Sequence, residues 1–372
     1  MSSAPSTPAI SSSPPRTWAE IDLQALRHNL SVVRESSEQS IMAVLKAGAY
    51  GHDIKHIAKF LDDENLAFFG VASVIEARRI TSTGCKTKLY LLGPILEDEF
   101  EEIVYHRWVP SISTLEDAKR FNELNAATSN PALPIHITVD TGMGRGGFLP
   151  ENLSEQFIEI LKLKHIKVEG IGSHLPSADE DKEFTLQQFQ NFETIVEECN
   201  YDFKYIHLAN SAGILDYKSS ICNLCRPGLI IYGISPIKSY QQQLKPVMTL
   251  KSKITLIRKL PAGHGISYGR SVLLEKDTLI ATVGAGYGDG YPRSLSGKNP
   301  TVVIHGVRCP VVGRVTMDQI MVDVSLLTKV STGDEVELFG KQISVTEIAT
   351  IADTIPWEIL TRITPRVTRI YI

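Results

Sequence analysis

Short apolar runs alternate with amphipathic stretches along the first two thirds of the chain, and this alternation constrains the fold more than any other feature. A helix capped by Asp22 comes first, and helical patterns recur at 55–62, 115–124, 153–163 and 184–199. Eight strands separated by helices favour an α/β fold built on a (β/α)8 TIM-type barrel over an open doubly wound sheet. The predicted strands are 41–45, 67–71, 88–92, 108–112, 135–139, 166–171, 203–207 and 221–225.

The pattern changes after Gly233, where β-rich runs punctuated by Gly, Pro and Asp replace the alternation. These runs and one helix, 345–352, predict a C-terminal, mostly-β domain of sandwich or barrel type. The expected domains are therefore a barrel over 16–240 and a β domain over 241–372, with strand 17–21 free to pack with the second. The predicted strands are 247–257, 278–283, 301–304, 320–324, 335–338 and 366–372.

Composition narrows the class of protein. The 372 residues are 43% hydrophobic and 22% charged, with a net charge of −4, which favours neither nucleic acid nor an anionic membrane as a partner. Five scattered cysteines suit a reducing compartment, so a cytoplasmic location is expected. The pair Cys222 and Cys225 lacks a second pair, which favours buried thiols over a metal site.

The first fifteen residues are rich in Ser and Pro and lack both basic leading residues and an apolar core. This composition predicts a disordered leader, 1–15, rather than a signal peptide. No later stretch approaches the roughly 18 apolar residues of a membrane span, so no membrane partner is expected.

Unusual polar residues follow the predicted barrel strands at their C-terminal ends, where barrel enzymes build their sites. Each cluster alone is compatible with a turn, a helix cap or a core histidine. Together on one predicted face they indicate a functional site. The clusters are Lys46, Asp140–Arg145, Ser173–His174, His207–Ser211 and Arg226–Gly228.

Lys46 is the most informative of these residues because it directly follows an apolar strand. Burial of an ammonium lowers its pKa and frees the amine to attack a carbonyl carbon. The alternative is a lysine whose ammonium extends from the strand end into water. The neighbouring clusters favour the first interpretation.

A phosphate site is expected after strands seven and eight, where barrels of this type favour one. Ser211 offers a hydroxyl there, and Gly228 and Leu229 offer approachable backbone N–H groups. A phosphate site together with an activated lysine points to pyridoxal phosphate held as a Schiff base. Arg226 cannot accept a proton, so beside the cofactor it would leave the pyridine nitrogen unprotonated.

The β domain carries three clusters of its own, at 266–269, 284–291 and 312–319. The second is a glycine-tyrosine loop, and on its own it is equally explained as a tight β-turn with packed aromatic rings.

The ordered motifs of both domains resemble the alanine racemase family of fold-type III pyridoxal-phosphate enzymes, and the resemblance extends from Trp18 to Ile372. The motifs are AVLKAGAYGH (43–52), VDTGMGRGGF (139–148), HLANSAG (207–213), RPGLIIYG (226–233), SYG (267–269), GYGDGY (286–291) and GRVTMDQ (313–319).

The resemblance implies a role for each matching residue. Lys46 would hold the cofactor and serve as the base on one face of the substrate. Tyr268, from the other subunit of a head-to-tail homodimer, would be the base on the opposite face. The remaining roles are phosphate binding by Tyr50, Ser211, Gly228 and Leu229, contact with the pyridine nitrogen by Arg226, a link from Arg226 to Tyr268 by His174, carboxylate binding by Arg145 and the Met317 backbone, and lining of the substrate entrance by Tyr287.

Two departures from the family pattern bear on substrate choice and on Arg145. Thr138 stands where many members have a carbamylated lysine that supports the arginine, so another group must orient Arg145 here. Pro365 stands where many members have a tyrosine that touches the phosphate and narrows the pocket. We therefore expect a wider pocket that admits serine. Gly48 and Thr316 replace a frequent asparagine and cysteine, with small expected effects.

The expected activity is interconversion of L- and D-alanine, which supplies D-alanine for peptidoglycan. A broader racemase acting on serine as well as alanine is the nearest alternative. A fold-type III decarboxylase would need an acidic partner for the pyridine nitrogen and a glycine-rich phosphate loop. A non-catalytic pyridoxal-phosphate carrier would have no use for Tyr268.

Overall fold

The computed structural model describes residues 15–372, so the predicted leader lies outside the described residues except for Pro15. The described residues form two compact units, and the residues before the barrel belong to the same unit as the C-terminal residues. Strand β1 (Thr17–Ile21) precedes the barrel unit, Asp22–Val247, yet groups with Met248–Ile372. The observed division thus falls seven residues beyond the expected boundary at 240, and strand 17–21 packs with the C-terminal domain.

The barrel unit contains eight parallel strands, one for each predicted run. Neighbours in the sheet follow the chain from β2 to β8, and β9 pairs with β2 on its other side. The strands are β2 (Ser40–Val44), β3 (Phe68–Val71), β4 (Leu89–Leu91), β5 (Val109–Ile112), β6 (Leu133–Thr138), β7 (Ile166–Gly172), β8 (Tyr205–His207) and β9 (Leu224–Cys225).

Backbone hydrogen bonds beside β8 and β9 close the sheet into a barrel. Asn223 N donates to Ile206 O at 3.0 Å, and Arg226 N donates to Ala209 O at 3.0 Å. Each remaining pair of neighbouring strands is joined by parallel pairing, with a register shift between β6 and β7 at Ile135/His136. The (β/α)8 prediction is therefore confirmed.

Helices follow the barrel strands, and several of these helices have an N-cap side chain that accepts a hydrogen bond from a backbone N–H in the first turn. Asp22 Oδ1 accepts a hydrogen bond from Ala25 N at 2.9 Å, as an N-cap residue does. The helices are α1 (Leu23–Ser37), α2 (Lys46–Tyr50, a turn described below), α3 (Ile54–Leu61), α4 (Val74–Thr81), α5 (Phe100–His106), α6 (Leu115–Ala126), α7 (Pro150–Leu161), α8 (Lys182–Glu198) and α9 (Ser211–Asp216).

The C-terminal unit is built around one long antiparallel strand, β10. Its first half pairs with β1 and with β17, and its second half pairs with β13. The elements are β10 (Met248–Leu260), β11 (Gly265–Ile266), β12 (Val272–Leu273), β13 (Thr278–Val283), β14 (Thr301–Ile304), β15 (Val307–Val312), β16 (Ile320–Asp323), β17 (Glu335–Phe339), α10 (Val345–Ala352), α11 (Pro356–Thr361) and β18 (Thr368–Tyr371).

Because β10 pairs with both β13 and β17, six strands form a ring in the order β13, β16, β15, β14, β17, β10. The edge of β10 also carries β1, which in turn pairs with β18. Two register shifts in β10, at Leu250/Lys251 and Ile254/Leu256, let one strand bend between these partners. The mostly-β prediction is confirmed, with a barrel-like arrangement of the strands.

The predicted element set omitted strand β15, the short pair β11–β12 and helix α11. Arg308 and Pro310 interrupt the apolar pattern of β15, so hydrophobic periodicity did not reveal this strand.

Along residues 15–372, no helix combines the length and the apolar character that crossing a membrane requires.

Asn29 is fully buried on α1 and ties this helix to the segment that follows the last barrel strand. Its Nδ2 donates to Ile231 O at 3.2 Å and to Lys245 O at 2.8 Å, while its Oδ1 accepts from Lys245 N at 2.8 Å. Three backbone groups thus depend on one side chain.

We expect Asn29→Ala to lower the free energy of unfolding by about 2 kcal/mol, because it leaves buried backbone groups without partners. Asn152, exposed on α7, provides the matched control, and Asn152→Ala should change the free energy by less than about 0.5 kcal/mol. Urea unfolding followed by circular dichroism measures both. Equal stability of the two variants would contradict the assignment.

Candidate functional site

Lys46 begins a left-handed turn directly beyond β2. Residues 47–50 all have positive φ, between 52° and 67°, although only Gly48 lacks a side chain. Such a conformation costs roughly 1–2 kcal/mol for each non-glycine residue, so surrounding contacts must maintain it. Backbone bonds from Ala49 N to Leu45 O at 2.7 Å and from Asp53 N to Gly48 O at 3.0 Å do so. A strained backbone of this kind is typical of functional sites.

Glu76 on α4 braces the same turn. One carboxylate oxygen accepts from Gly48 N at 3.4 Å, and the other accepts from Ala72 N at 2.9 Å. Burial lowers the pKa of Lys46, and the positive charge of Arg145 lowers it further, while Glu76 opposes both. The Lys46 ammonium therefore loses its proton more readily than an exposed lysine does, as the sequence predicted.

Tyr50 and Gly228 approach each other so closely that a side chain at residue 228 would displace the Tyr50 hydroxyl. A Cβ at position 228 would lie 2.4 Å from the Tyr50 hydroxyl oxygen. Tyr50 also stacks on Tyr232, with ring centroids 4.7 Å apart. Ser211 Oγ accepts from Gly228 N at 3.1 Å and from Ile230 N at 3.4 Å. Hydroxyl and backbone N–H groups thus converge on one small space, as a phosphate site requires.

Leu229 follows this contact at the start of a 3₁₀ helix, Leu229–Tyr232, and its side chain is buried. The predicted phosphate-binding residues Tyr50, Ser211, Gly228 and Leu229 therefore lie together in the barrel unit.

Arg226 is 6% exposed, and its guanidinium is anchored by carbonyl oxygens and histidines. Nη1 donates to His207 O at 3.0 Å and to His207 Nδ1, and Nη2 donates to Leu208 O at 3.0 Å and to Ser173 O. Nη2 also lies 3.3 Å from His174 Nδ1. These bonds use the two terminal nitrogens and leave the Nε–H as the donor available to a ligand.

The predicted pairing of Arg226 with His174 is present. Because an arginine only donates, His174 Nδ1 must accept, and the imidazole is neutral with its proton on Nε2. Burial and the nearby charges of Arg226 and Arg145 lower the pKa of His174 to about 3, in agreement with that state.

Arg145 ends a loop that one carboxylate organises. Asp140 Oδ1 accepts from Gly142 N and Met143 N at 2.9 Å and from Gly144 N at 3.1 Å. Thr138, which the resemblance places at the position of a carbamylated lysine, lies near the Tyr90 hydroxyl instead. The Arg145 side chain is exposed, and the backbone of the loop that carries it is held by Asp140.

The C-terminal unit presents three of the predicted residues on adjoining loops. Tyr268 is 70% exposed, on a turn in which Ser267 and Gly269 both have positive φ. Ser267 Oγ donates to Arg314 O at 2.7 Å and thereby ties this turn to the 313–319 loop. A large aromatic side chain held out from a strained turn is suited to contact another molecule.

Tyr287 and Met317 lie on two loops that are bonded to each other. Tyr287 N donates to Thr316 O at 3.0 Å, and Gly288 N donates to Met317 O at 2.8 Å. Both side chains are exposed. Tyr268, Tyr287 and Met317 thus belong to one continuous cluster of loops in this unit.

Arg366 reinforces this cluster, although it lies in none of the sequence motifs. Its guanidinium pairs with Asp289 and with Asp318, each at 2.8 Å, and so joins the two loops. Pro365 lies directly before it in an exposed turn, and Thr364 Oγ1 donates to Gly288 O at 2.9 Å. Pro365 is therefore adjacent to the loops that carry Tyr287 and Met317.

Glu76 and His136 were also missed. Glu76 gives no motif because its partners are backbone N–H groups. His136 left a usable signal, since it is a histidine within a predicted buried strand, 135–139.

Family models match both units of the chain. The model of the alanine racemase N-terminal domain matches residues 21–236, and the model of the alanine racemase C-terminal domain matches residues 247–371.

Individual relatives agree with these matches. A curated alanine racemase from Halothermothrix orenii is 39% identical over 367 residues, which cover 95% of this chain and 96% of that protein. The solved alanine racemase of Clostridium difficile 630 superposes with a TM-score of 0.90 at 36% identity, over 96% of each chain. That of Bacillus anthracis with bound L-Ala-P gives 0.87 at 32% identity, over 97% of this chain and 96% of that one. The chain belongs to the alanine racemase family.

Proposed function

We propose that this protein interconverts L- and D-alanine with pyridoxal phosphate, using Lys46 and Tyr268 as opposed bases. The observation that carries the proposal is the desolvated amine of Lys46, in the same unit as the convergence of Tyr50, Ser211 and Gly228. Membership of the alanine racemase family supports the substrate. The names of the relatives support it as well.

The barrel residues fit pyridoxal phosphate. The absence of a side chain at Gly228 makes room for the Tyr50 hydroxyl, and the hydroxyls of Tyr50 and Ser211 and the N–H groups of Gly228 and Leu229 would hold the phosphate. The Nε–H of Arg226 would face the pyridine nitrogen, and Lys46 would hold the aldehyde carbon. When bound, the cofactor withdraws electrons from the substrate's α-carbon and so weakens its α-C–H bond.

Arg226 would moderate that withdrawal. Burial lowers its pKa, but a guanidinium stays charged and has no lone pair to share, so it cannot pass a proton to a pyridine nitrogen. A weaker electron withdrawal limits the lifetime of a carbanion and favours prompt reprotonation. An arginine at this position favours a racemase over a fold-type III decarboxylase, because the decarboxylase would need an acidic partner at the pyridine nitrogen.

Racemisation needs two bases because the α-proton leaves one face and a proton returns to the other. Lys46 Nζ would serve one face and Tyr268 Oη the other. Each conversion moves one proton onto one base and one proton off the other, and the reverse conversion restores both. Arg145 and the Met317 backbone would hold the substrate carboxylate, and Tyr287 would line the entrance.

We further propose that Tyr268 acts in the site of a partner subunit of a homodimer. Its 70% exposed ring, held by a strained turn, supports a contact beyond its own chain. A pyridoxal-phosphate carrier without catalysis would have no need of such a residue. Supply of D-alanine to peptidoglycan in the cytoplasm is the physiological role that we propose, and dependence of a deletion strain on added D-alanine would support it.

Reduction with borohydride tests the cofactor site. It should fix the pyridoxyl group on Lys46, and peptide mapping by mass spectrometry should find it there, because this amine is the desolvated one. Lys46→Ala should lose both the adduct and the turnover. Lys55→Ala, an exposed lysine nine residues away, is the control and should keep both. An adduct on another lysine would overturn the assignment.

Mixed dimers test whether two subunits share each site. Lys46→Ala and Tyr268→Phe homodimers should each lose about 100-fold or more in turnover. Dimers purified with one chain of each kind should recover roughly half of the parent activity, because one of their two sites has both bases intact. Dimers of two differently tagged Lys46→Ala chains are the control. No recovery in the mixed dimers would mean that both bases come from one chain.

Isotope exchange tests the two-base assignment separately. In deuterium oxide, Tyr268→Phe should still exchange the α-proton of one alanine enantiomer and not of the other, because Lys46 faces only one side. Proton NMR of the recovered substrate measures this. Equal exchange of both enantiomers would refute the assignment of opposed bases.

The width of the substrate pocket can be tested at Pro365. Tyrosine restores a ring beside the loops of Tyr287 and Met317, so Pro365→Tyr should lower kcat/KM for serine relative to alanine by about 10-fold, a change typical of a narrowed pocket. Pro365→Ala is the control for loss of the proline ring. Unchanged selectivity in Pro365→Tyr would show that Pro365 does not set the substrate range.

A further inference from the structure

Two buried histidines inside the barrel have no part in the chemistry proposed so far. His136 on β6 and His207 at the end of β8 are both fully enclosed, and His136 Nδ1 lies 2.9 Å from His207 Nε2. His207 in turn accepts from Arg226 through its other ring nitrogen. A continuous chain of hydrogen bonds therefore runs from Arg226 through His207 to His136.

Two glycines on β7 provide the space for this pair. A Cβ at Gly170 would lie 2.7 Å from the His136 ring, and one at Gly172 would lie 2.1 Å from the His207 ring. Both distances are far below van der Waals contact, and the obstructed atoms belong to buried rings. The barrel wall is therefore shaped around the histidine pair.

The direction of every bond in the chain follows from the chemistry of its first member. Arginine has only donors, so His207 Nδ1 must accept, and the His207 proton must then lie on Nε2. That proton is donated to His136 Nδ1, which places the His136 proton on Nε2. Burial and the charge of Arg226 lower the pKa of His136 to about 3 and that of His207 well below the usual range, so both rings are neutral.

His136 is held by ring contacts on its far side. Its Nε2 is buried without a hydrogen-bond partner among the described residues. Phe68 meets it edge-on at 5.5 Å between ring centroids, and Tyr205 stacks on it at 5.6 Å. If this core position needed only an apolar ring, phenylalanine would fill it without burying an unpaired N–H. Burial of an unpaired N–H costs free energy. The acceptor at Nδ1 is what distinguishes histidine from phenylalanine here.

We propose that His136 is a positioning residue for Arg226: by accepting the Nε2 proton of His207, it keeps His207 Nδ1 as an acceptor and thereby holds the guanidinium in place. This rests on the proposed role of Arg226 toward the pyridine nitrogen. Without the His136 acceptor, His207 gains nothing from a proton on Nε2, and a proton on Nδ1 would oppose the Arg226 N–H.

Nitrogen-15 NMR of the full-length protein as purified tests the assignment of protons without reference to turnover. Both His136 and His207 should be neutral with the proton on Nε2. Assignment uses His136→Asn and His136→Phe, each of which removes one set of ring signals. A proton on Nδ1 of His207, or a charged ring at either position, would overturn the proposal even if the protein racemises alanine.

The same two variants separate positioning from packing. Asparagine places its Oδ1 at the position of Nδ1 and so keeps the acceptor, whereas phenylalanine keeps the ring and loses the acceptor. We expect His136→Phe to lower kcat about 10-fold with KM changed less than about twofold, and His136→Asn to retain kcat within about threefold. The Tm of His136→Asn should be lower than that of His136→Phe, because asparagine leaves a cavity.

A merely structural role for His136 predicts that kcat and Tm fall together, with His136→Asn the worse variant in both, and that outcome would overturn the proposal. If His136→Phe does not fold, the protonation states in the unmodified protein still decide the question. If the protein does not racemise alanine but both protons lie on Nε2, the proposed function fails while the hydrogen-bond chain stands.

Discussion

The buried guanidinium of Arg226 is the charge around which the barrel unit is organised. The backbone N–H of Arg226 donates to Ala209 O and helps to close the barrel. The terminal nitrogens of its side chain donate to carbonyl oxygens beside β7 and β8. A buried cation without a nearby carboxylate needs such dipoles to offset lost hydration. Burial and this charge lower the pKa of His136, His174 and His207, so all three imidazoles are neutral, and His174 and His207 accept from the guanidinium.

The neutral histidines give the site a fixed arrangement of donors and acceptors. Since a guanidinium keeps its proton in proteins, the Nε–H remains a donor toward a ligand. Lys46 is influenced by the same cluster, because Arg145 and Arg226 both add to the effect of burial on its pKa. One arginine thus couples barrel closure to the protonation states of the groups that the proposed reaction uses.

The C-terminal unit uses a different device, in which loops are bonded to loops. Arg366 joins the loops of Tyr287 and Met317 through Asp289 and Asp318, and Ser267 joins the turn of Tyr268 to the same 313–319 segment. Exposed side chains are poorly positioned unless their backbone is held. These bonds hold the backbone while leaving the Tyr268 ring exposed, which suits a residue proposed to act in a partner's site.

Hydrophobic periodicity predicted the barrel strands, and the polar residues at the strand ends predicted many of the candidate site residues. All eight barrel strands lie where short apolar runs were found, since a strand buried on both faces must be apolar throughout. Lys46, Arg145, His174, Ser211 and Arg226 were singled out because several polar clusters follow such runs at their C-terminal ends, on one predicted face. The β15 strand was missed because Arg308 and Pro310 break its pattern, and Glu76 was missed because a carboxylate that braces backbone N–H groups forms no motif.

The sequence by itself determined the order of elements, the two kinds of domain and the residues at the strand ends, because these depend on local patterns of polarity. Only the tertiary structure decided which unit holds strand 17–21, that residues 47–50 form a left-handed turn, and that His136 meets His207. Those features depend on contacts between segments far apart in the chain. A pairing of His136 with His207, 71 residues later, is possible only where Gly170 and Gly172 leave the space.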